Sequence, residues 1–390
     1  MLYVTFGLLI ILFFLLFGWV LKVSVFSPLI LNSVGWLATF LSGIFFYDQY
    51  YPITTEVFVA WVIWFTIVSI LFVLLDPGQN SIFKIKATLQ SYTIKLRYEW
   101  VIVFFCIVLA WRIWVIGSTG PEHFFLNLRL ASNGIEGFGQ LGLVARFYPL
   151  IFSLFIIEWL LLSSGRQRVR LYLLLWMAFY AIGTMGKFAF LTPALVVAFS
   201  LALHQKISFK QLLPLGVLSM LIMLVLHFLR SGSFALDDLG YFFSVYTYSP
   251  IVALGYLDPS HSLIFGENTF RLYYAVAHAL GATTPPAEVI LPYVEVPSLT
   301  NVYTGLFPYY QDFGLTGVFF AALFWGIFFG AIYYFALKGC ILALFVYAVF
   351  LVVLIASFIN DLFFMVLSGH LQAVIAIVFI GFLMLRKKHD

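Results

Sequence analysis

The feature that most constrains this chain is a succession of eleven apolar runs, most of them about 20 residues long and separated by short polar turns. A run of that length and polarity is what an α-helix needs to cross the ~30 Å hydrocarbon core of a bilayer while satisfying its own backbone. The runs lie at about 2–21, 28–47, 56–75, 98–117, 143–163, 171–184, 188–204, 212–229, 313–336, 340–358 and 363–385. None shows the ten-residue apolar/polar alternation of a barrel strand. Composition agrees, with 64% hydrophobic residues, 9% charged and a mean hydropathy of +1.08, where a soluble domain carries roughly a quarter charged residues. The expected fold is an all-α polytopic membrane protein with about 11 transmembrane helices (10–12), forming a single integral membrane domain over 1–390. The first run resembles a signal peptide but has neither a basic start nor a small-residue cleavage site, so it is read as a span. A weakly apolar piece at 240–257 is read as a re-entrant or surface helix, because a further crossing would misplace the C-terminal charges. No internal repeat or low-complexity linker divides the chain.

Basic residues set the expected orientation, since loops kept in the cytoplasm are enriched in Lys and Arg. With the C-terminus inside, fourteen of the twenty fall on that side: Lys22, Lys84, Lys86, Lys95, Arg97, Arg166, Arg168, Arg170, Lys206, Lys210, Lys338, Arg386, Lys387 and Lys388. An odd number of spans then puts the N-terminus outside. Most acidic residues fall on the outer side, so the net charge of +4 reports topology and not nucleic-acid binding. Cys106 and Cys340 sit singly in or beside separate runs, which suggests neither a disulfide framework nor a cysteine metal site.

Two outward loops are long, 118–142 and 230–312, and a C-terminal three-span segment, 313–385, follows the second. Long loops in compact proteins are functional or disordered. The second is rich in Tyr, Phe, Leu and Val and contains a helix pattern at 269–280, with Asn268 as N-cap and Gly281 just past its end, so a folded, partly helical lid is expected. Nothing in it has the spacing of a phosphate loop; Gly183-Thr-Met-Gly-Lys-Phe lacks both the first glycine spacing and the final Ser/Thr. The lid faces away from cytoplasmic ATP, so a reaction there draws its energy from the substrate itself.

Six basic residues escape the orientation rule: Arg112, Arg129, Arg146, Lys187, Arg230 and Arg271. Arg112, Arg146 and Arg230 lie near outer helix ends, where snorkelling to the headgroups is the alternative to a binding role. Lys187 is more pointed. The hairpin 171–204 has 34 residues where two crossings need roughly 40, so its turn, 183–187, lies below the outer surface and a lysine there needs an anion or a water-filled cavity. In the lid helix Arg271, Ala275 and His278 share one face by their i, i+4, i+7 spacing. That face either holds a phosphate and a proton carrier, or Arg271 pairs with Glu267 while His278 packs beneath the loop. His370, inside the last run, reads as a packed histidine against a neighbouring helix.

The run TNVYTGLFPYYQDFGLTG, 300–317, sits at the rim of a span. Its Asn301-Val-Tyr-Thr, then Pro308-Tyr-Tyr-Gln-Asp312-Phe-Gly314 and Gly317, resembles the Wzy-type O-antigen polymerases, oligosaccharide repeat-unit polymerases of bacterial envelopes. The Gly186-Lys187 turn and Arg230 at the mouth of the large loop agree with that layout, although the family often has twelve spans. The resemblance implies a GT-C-like fold and a glycosyltransferase that joins oligosaccharides carried on undecaprenyl diphosphate, at the periplasmic face of the inner membrane. It implies membrane lipids, a chain-length regulator and a flippase as partners. No cofactor and no metal are expected, because no carboxylate pair suited to a metal is evident. The leaving diphosphate is then met by Arg230 and Arg271, supported by Lys187, Arg146 and Arg129. Asp312, His278 and Glu267, in that order, are the candidates to take the acceptor's proton. Asp312 alternatively caps the first turn of the span that follows it. Asn301, Tyr303, Tyr309 and Tyr310 are expected to bind sugar, the tyrosine rings otherwise forming an aromatic belt. A ligase moving glycan from the same carrier, a lipid-oligosaccharide transporter and a scaffold are the competing readings; a transporter requires polar groups through the full depth, and here they concentrate outside.

Overall fold

The computed structural model of the chain is 71% helical and describes residues 1–390 apart from 79–84, 86–87, 95, 208, 232–238, 258–263, 289, 298 and 388–390. Lys84, Lys86, Lys95 and Lys388, counted above toward the inner side, lie outside the described residues. The helices are α1 (Leu2–Val20), α2 (Pro28–Phe46), α3 (Thr55–Leu74), α4 (Glu99–Thr119), α5 (Phe124–Ser132), α6 (Leu143–Arg146), α7 (Tyr148–Leu161), α8 (Gln167–Thr184) and α9 (Lys187–Leu203). They continue with α10 (Phe209–Ser231), α11 (Leu239–Thr247), α12 (Ser249–Leu254), α13 (Arg271–Ala279), α14 (Phe307–Leu337), α15 (Ile341–Val349), α16 (Leu351–Ala356) and α17 (Leu367–Met384). Among the described residues four short strands, β1 (Tyr92–Ile94), β2 (Val294–Glu295), β3 (Leu299–Thr300) and β4 (Leu385–Lys387), form two antiparallel pairs, β1 with β4 and β2 with β3.

Among the described residues six helices are long and apolar enough to cross a membrane: α1, α2 with the turn that extends it to Gln49, α3, α4, α14 and α17. The protein is therefore membrane-embedded. α7, α9, the Gly216–Arg230 part of α10 and the stretch Ile341–Ala356 are apolar but shorter. Among the described residues, length and composition alone thus support six of the eleven expected crossings.

The chain folds into two compact units. The first comprises 1–80, 236–335 and 353–368. Ser27 and Thr54 start α2 and α3 by accepting hydrogen bonds from the amides of Ile30 and Val57, with Pro28 in the first turn of α2. Around them Trp36, Phe40, Trp61, Trp64 and Phe65 are completely buried. The stretch 240–257 is not a surface helix. It is broken into α11 and α12, with Pro250 in the first turn of α12, and Tyr248 and Ile251 to Ala253 are fully buried. Its polar groups are met locally: Thr247 Oγ1 donates to Ser42 Oγ (2.7 Å), and the Tyr50 and Ser244 hydroxyls share a 2.8 Å hydrogen bond.

The run 300–317 is built into this unit. Gly305 donates its amide to the carbonyl of Ser357 at 2.6 Å, and a Cβ there would sit 2.8 Å from that oxygen, so only glycine permits the approach. Gly314 adopts φ 59°, ψ −147° and kinks α14, a conformation L side chains rarely take. Beside this run, the turn between α16 and α17 holds the buried carboxyl of Asp361, which accepts from the amides of Phe363 (2.9 Å) and Phe364. Burial raises its pKa to about 7 against the opposing pull of the Phe363, Phe364 and Met365 amides. A carboxyl raised in the folded state stabilises below its unfolded pKa and loses that contribution as pH climbs through the folded one. Stability is therefore expected to fall by about 1.4 kcal/mol per pH unit between roughly pH 4 and 7 from this group. Asp361→Asn, which keeps an acceptor oxygen, should flatten that slope in thermal unfolding measured across the interval.

The second unit comprises 81–235, 336–352 and 369–390. Here α4 packs against α5 and α8, α7 against α8, and α9 against α7, α8 and α10. Strands β1 and β4 pair in register from Tyr92 opposite Lys387 to Ile94 opposite Leu385. Within α7, the carboxyl of Glu158 is completely buried and accepts from the Tyr98 hydroxyl (2.5 Å) and from Arg166 Nε (2.7 Å), forming an ion pair with Arg166. Arg166 also donates to the Leu96 carbonyl and lies over the Tyr98 ring. Cys106 and Cys340 are both free thiols.

Candidate functional site

In the second unit three of the expected cations come together. Asn127, buried in α5, fixes the start of that helix: its Nδ2 donates to the carbonyls of Gly117 and Glu122 (2.9 and 2.7 Å), and its Oδ1 accepts from the Glu122 amide. Ser132, one turn beyond Arg129 on the same helix, donates from Oγ to the Thr184 carbonyl at 3.0 Å. That bond seats α5 beside the turn between α8 and α9, where Met185 is buried in a left-handed conformation (φ 50°) and Gly186 leads into Lys187 at the first position of α9. Helix α10, carrying Arg230 in its last turn, packs against both α5 and α9.

The charges of Arg230 and Arg129 both act on Lys187. Lys187 Nζ and Arg129 Nε are buried atoms. Helix α9 is 17 residues long, about 26 Å at 1.5 Å per residue, in keeping with the short hairpin read from the sequence. Lys187 opens α9 at the positive end of its dipole, and the charges of Arg129 and Arg230 add to the repulsion it meets, which an anion would offset. Arg146, by contrast, is exposed at the end of α6. The guanidinium of Arg112 donates to the Gln140 carbonyl (2.5 Å) and so ties down the outer loop 118–142.

In the first unit the lid is partly helical and Asp312 fastens it. Its Oδ1 accepts from Asn268 Nδ2 (2.8 Å) and the Asn268 amide (3.4 Å), and its Oδ2 from the Thr269 amide (2.7 Å). Asp312 therefore does not cap its own helix; it holds the turn that leads into α13, 44 residues earlier. Nor does Asn268 cap α13, which starts after Phe270, because the Asn268 side chain is buried against Asp312. Asp312→Ala strands these donors and is expected to loosen the turn by about 1.5–3 kcal/mol. Hydrogen exchange over 264–280 should accelerate about ten- to hundredfold; unchanged exchange would mean the lid is held elsewhere.

Glu267 is half-buried next to this latch. Burial, and then the charge of Asp312, raise its pKa above the ordinary glutamate value, so this carboxyl holds a proton more readily than an ordinary glutamate. Arg271 does not pair with Glu267 by any ion-pair contact found here; its Nε donates to the Ala287 carbonyl (2.8 Å) and one terminal nitrogen to that of Met365 (3.4 Å). His278 is exposed, with Nδ1 3.0 Å from the Ala282 carbonyl, and so is not packed beneath the loop.

Two of the four residues expected to bind sugar are core residues. Tyr303 is 0% exposed, stacked on Phe307 with its hydroxyl donating to the Pro292 carbonyl. Tyr309 is 1% exposed, its ring stacked on Trp64 and its hydroxyl accepting from Trp325 Nε1 at 2.8 Å. Neither offers a face to a sugar ring. Asn301 and Tyr310 are half-buried, and the Tyr310 hydroxyl lies 3.5 Å from a Glu56 carboxylate oxygen.

Sequence reasoning passed over Asp361 and Glu158. A signal was present for each: Asp361 is the sole acidic residue between Asp312 and Asp390, and Glu158 interrupts an apolar run eight residues before Arg166. Compared with family models, with curated proteins and with solved structures, the chain matches none.

Proposed function

We propose that the protein is a glycosyltransferase that joins oligosaccharide units carried on undecaprenyl diphosphate, of the O-antigen repeat-unit polymerase type, working at the periplasmic face of a bacterial inner membrane. The observation that carries this reading is the group of Lys187, Arg129 and Arg230. A diphosphate is the anion whose charge and size suit three convergent cations, Arg supplying forked donors and Lys a point charge. In the reaction an acceptor hydroxyl attacks the anomeric carbon, the bond from that carbon to the diphosphate oxygen breaks, and the lipid diphosphate leaves with both electrons. Cations held beside the departing oxygens stabilise the charge as it develops.

In the first unit, taken by itself, we name Glu267 ahead of the other two lid groups as the one suited to take a proton. Its raised affinity for a proton suits general-base work, whereas Asp312 is committed to the lid and His278 is held through Nδ1 by a backbone carbonyl. Within the first unit Asn301 and Tyr310 remain the candidates for sugar contact and Arg271 for phosphate contact; within the second, exposed Arg146 remains a candidate for phosphate contact.

The test is turnover of the purified protein in detergent with an undecaprenyl diphosphate-linked repeat unit, no nucleotide and a chelator present, products being separated by length. A ladder of regular increments is expected. Transfer of one unit onto an unrelated acceptor, without a ladder, would indicate a ligase, and no turnover by demonstrably folded protein on the correct lipid would sink the reading.

A further inference from the structure

The lid helix α13 has two opposed faces. Arg271, Ala275 and His278 lie along one, and Tyr273, Val276 and Leu280, at i, i+3, i+7, lie along the other. The first face is held to protein at its N-terminal end, where Arg271 donates to the carbonyls of Ala287 and Met365, and is open to water at His278. The second is turned away from that contact. Tyr273 is 69% exposed and Leu280 84%, with Val276 also exposed, although α13 has no buried residue to compensate.

What covers this face is indicated by its surroundings. Phe265 and Phe270, both exposed, extend the same apolar surface, and their rings meet Phe313 at 5.1 and 6.1 Å. Phe313 stands two residues before Leu315, where the exposed apolar side of the α14 span begins and continues through Phe319 and Phe320. The apolar side of α13 is thus continuous with a surface that faces lipid. Tyr273, with a flat apolar body and a polar tip, suits the headgroup boundary. A short helix with an apolar side and an Arg- and His-bearing opposite side is the pattern of an interfacial helix.

We propose that α13 lies in the outer headgroup boundary of the bilayer, with Tyr273, Val276 and Leu280 buried among the upper acyl carbons. The partner of this face is the lipid surface itself. One consequence is that the lid is held at headgroup depth, and the binding energy is lost when lipid is removed.

The test uses the full-length protein with Cys106→Ala and Cys340→Ser, in nanodiscs of phosphatidylethanolamine and phosphatidylglycerol, carrying Tyr273→Cys, Val276→Cys, Leu280→Cys or His278→Cys singly, each with a nitroxide label. Collision with oxygen, which concentrates in acyl chains, is compared with collision with a water-soluble nickel chelate. The oxygen-to-nickel ratio is expected to be several-fold higher at 273, 276 and 280 than at 278. Strong nickel collision at all four positions would overturn the proposal by placing the face in water. Immobile labels at 273, 276 and 280 that meet neither reagent would overturn it by placing protein there. Should a labelled variant fail to fold, deuterium uptake over 265–280 of the unsubstituted protein decides: several-fold slower uptake in nanodiscs than in lipid-free amphipol supports the interface, and equal uptake refutes it.

Discussion

Lys187→Met is expected to slow the proposed glycan transfer by about 10²–10³-fold, the effect of deleting one donor to a developing oxyanion, with a much smaller effect on stability. The second half of that expectation separates a binding role from a structural one. Met keeps the apolar stem of the side chain and removes its charge. If Lys187, Arg129 and Arg230 merely braced the fold, deleting one would weaken it. Because their charges oppose one another, removing one relieves that repulsion, and the midpoint of thermal unfolding should fall far less than activity does. Arg129→Met and Arg230→Met should follow the same pattern. Pairs of these substitutions should cost less activity than the product of the single losses, as groups acting together on one anion do. Loss of activity accompanied by a matching loss of stability in all three would remove the cation group from the mechanism.

The largest stability effect is expected at Glu158. Its carboxyl is completely buried, and its Oε1 accepts from both Tyr98 and Arg166. Glu158→Ala leaves the Arg166 charge without its carboxylate and should destabilise by about 3–5 kcal/mol, read as a lower unfolding midpoint in detergent and less protein recovered from the membrane. Replacing both partners, Glu158→Met with Arg166→Met, should recover much of the loss, since an apolar pair of similar volume avoids the cost of desolvating two ions. A double variant as unstable as Glu158→Ala would show that the Arg166 contact with the Leu96 carbonyl, and not the ion pair, is what counts.

Some of this was legible in the residues. Apolar length located the helices, because a bilayer demands it of any crossing segment. Lys187 was conspicuous for a geometric reason: its hairpin is short, and the structure keeps both the short helix and a lysine at its turn beside the charges of Arg129 and Arg230. The misreadings share a cause. Tyr303 and Tyr309 lie in a stretch full of polar groups, yet an aromatic ring offered to a sugar and one stacked on Trp64 have the same letter. Only packing separates them. Asp312 binding the amides of Asn268 and Thr269 spans more than 40 residues of chain, a distance over which neither periodicity nor capping patterns carry information. Length also misled at 240–257, where the total was adequate for a helix but Pro250 splits it in two.

The two units interleave along the chain, which passes from one to the other after residues 80, 235, 335, 352 and 368. For a protein inserted segment by segment as it is made, this ordering sets a timetable. The first three helices reach the bilayer early but wait for 236–335 and 353–368 to close around them. The other unit cannot pair β1 until β4, at 385–387, has been synthesised. A chain halted near residue 350 would leave both units open at once, so their closure is a late event, whereas the buried group of Glu158, Tyr98 and Arg166 has all its members once residue 166 has been made.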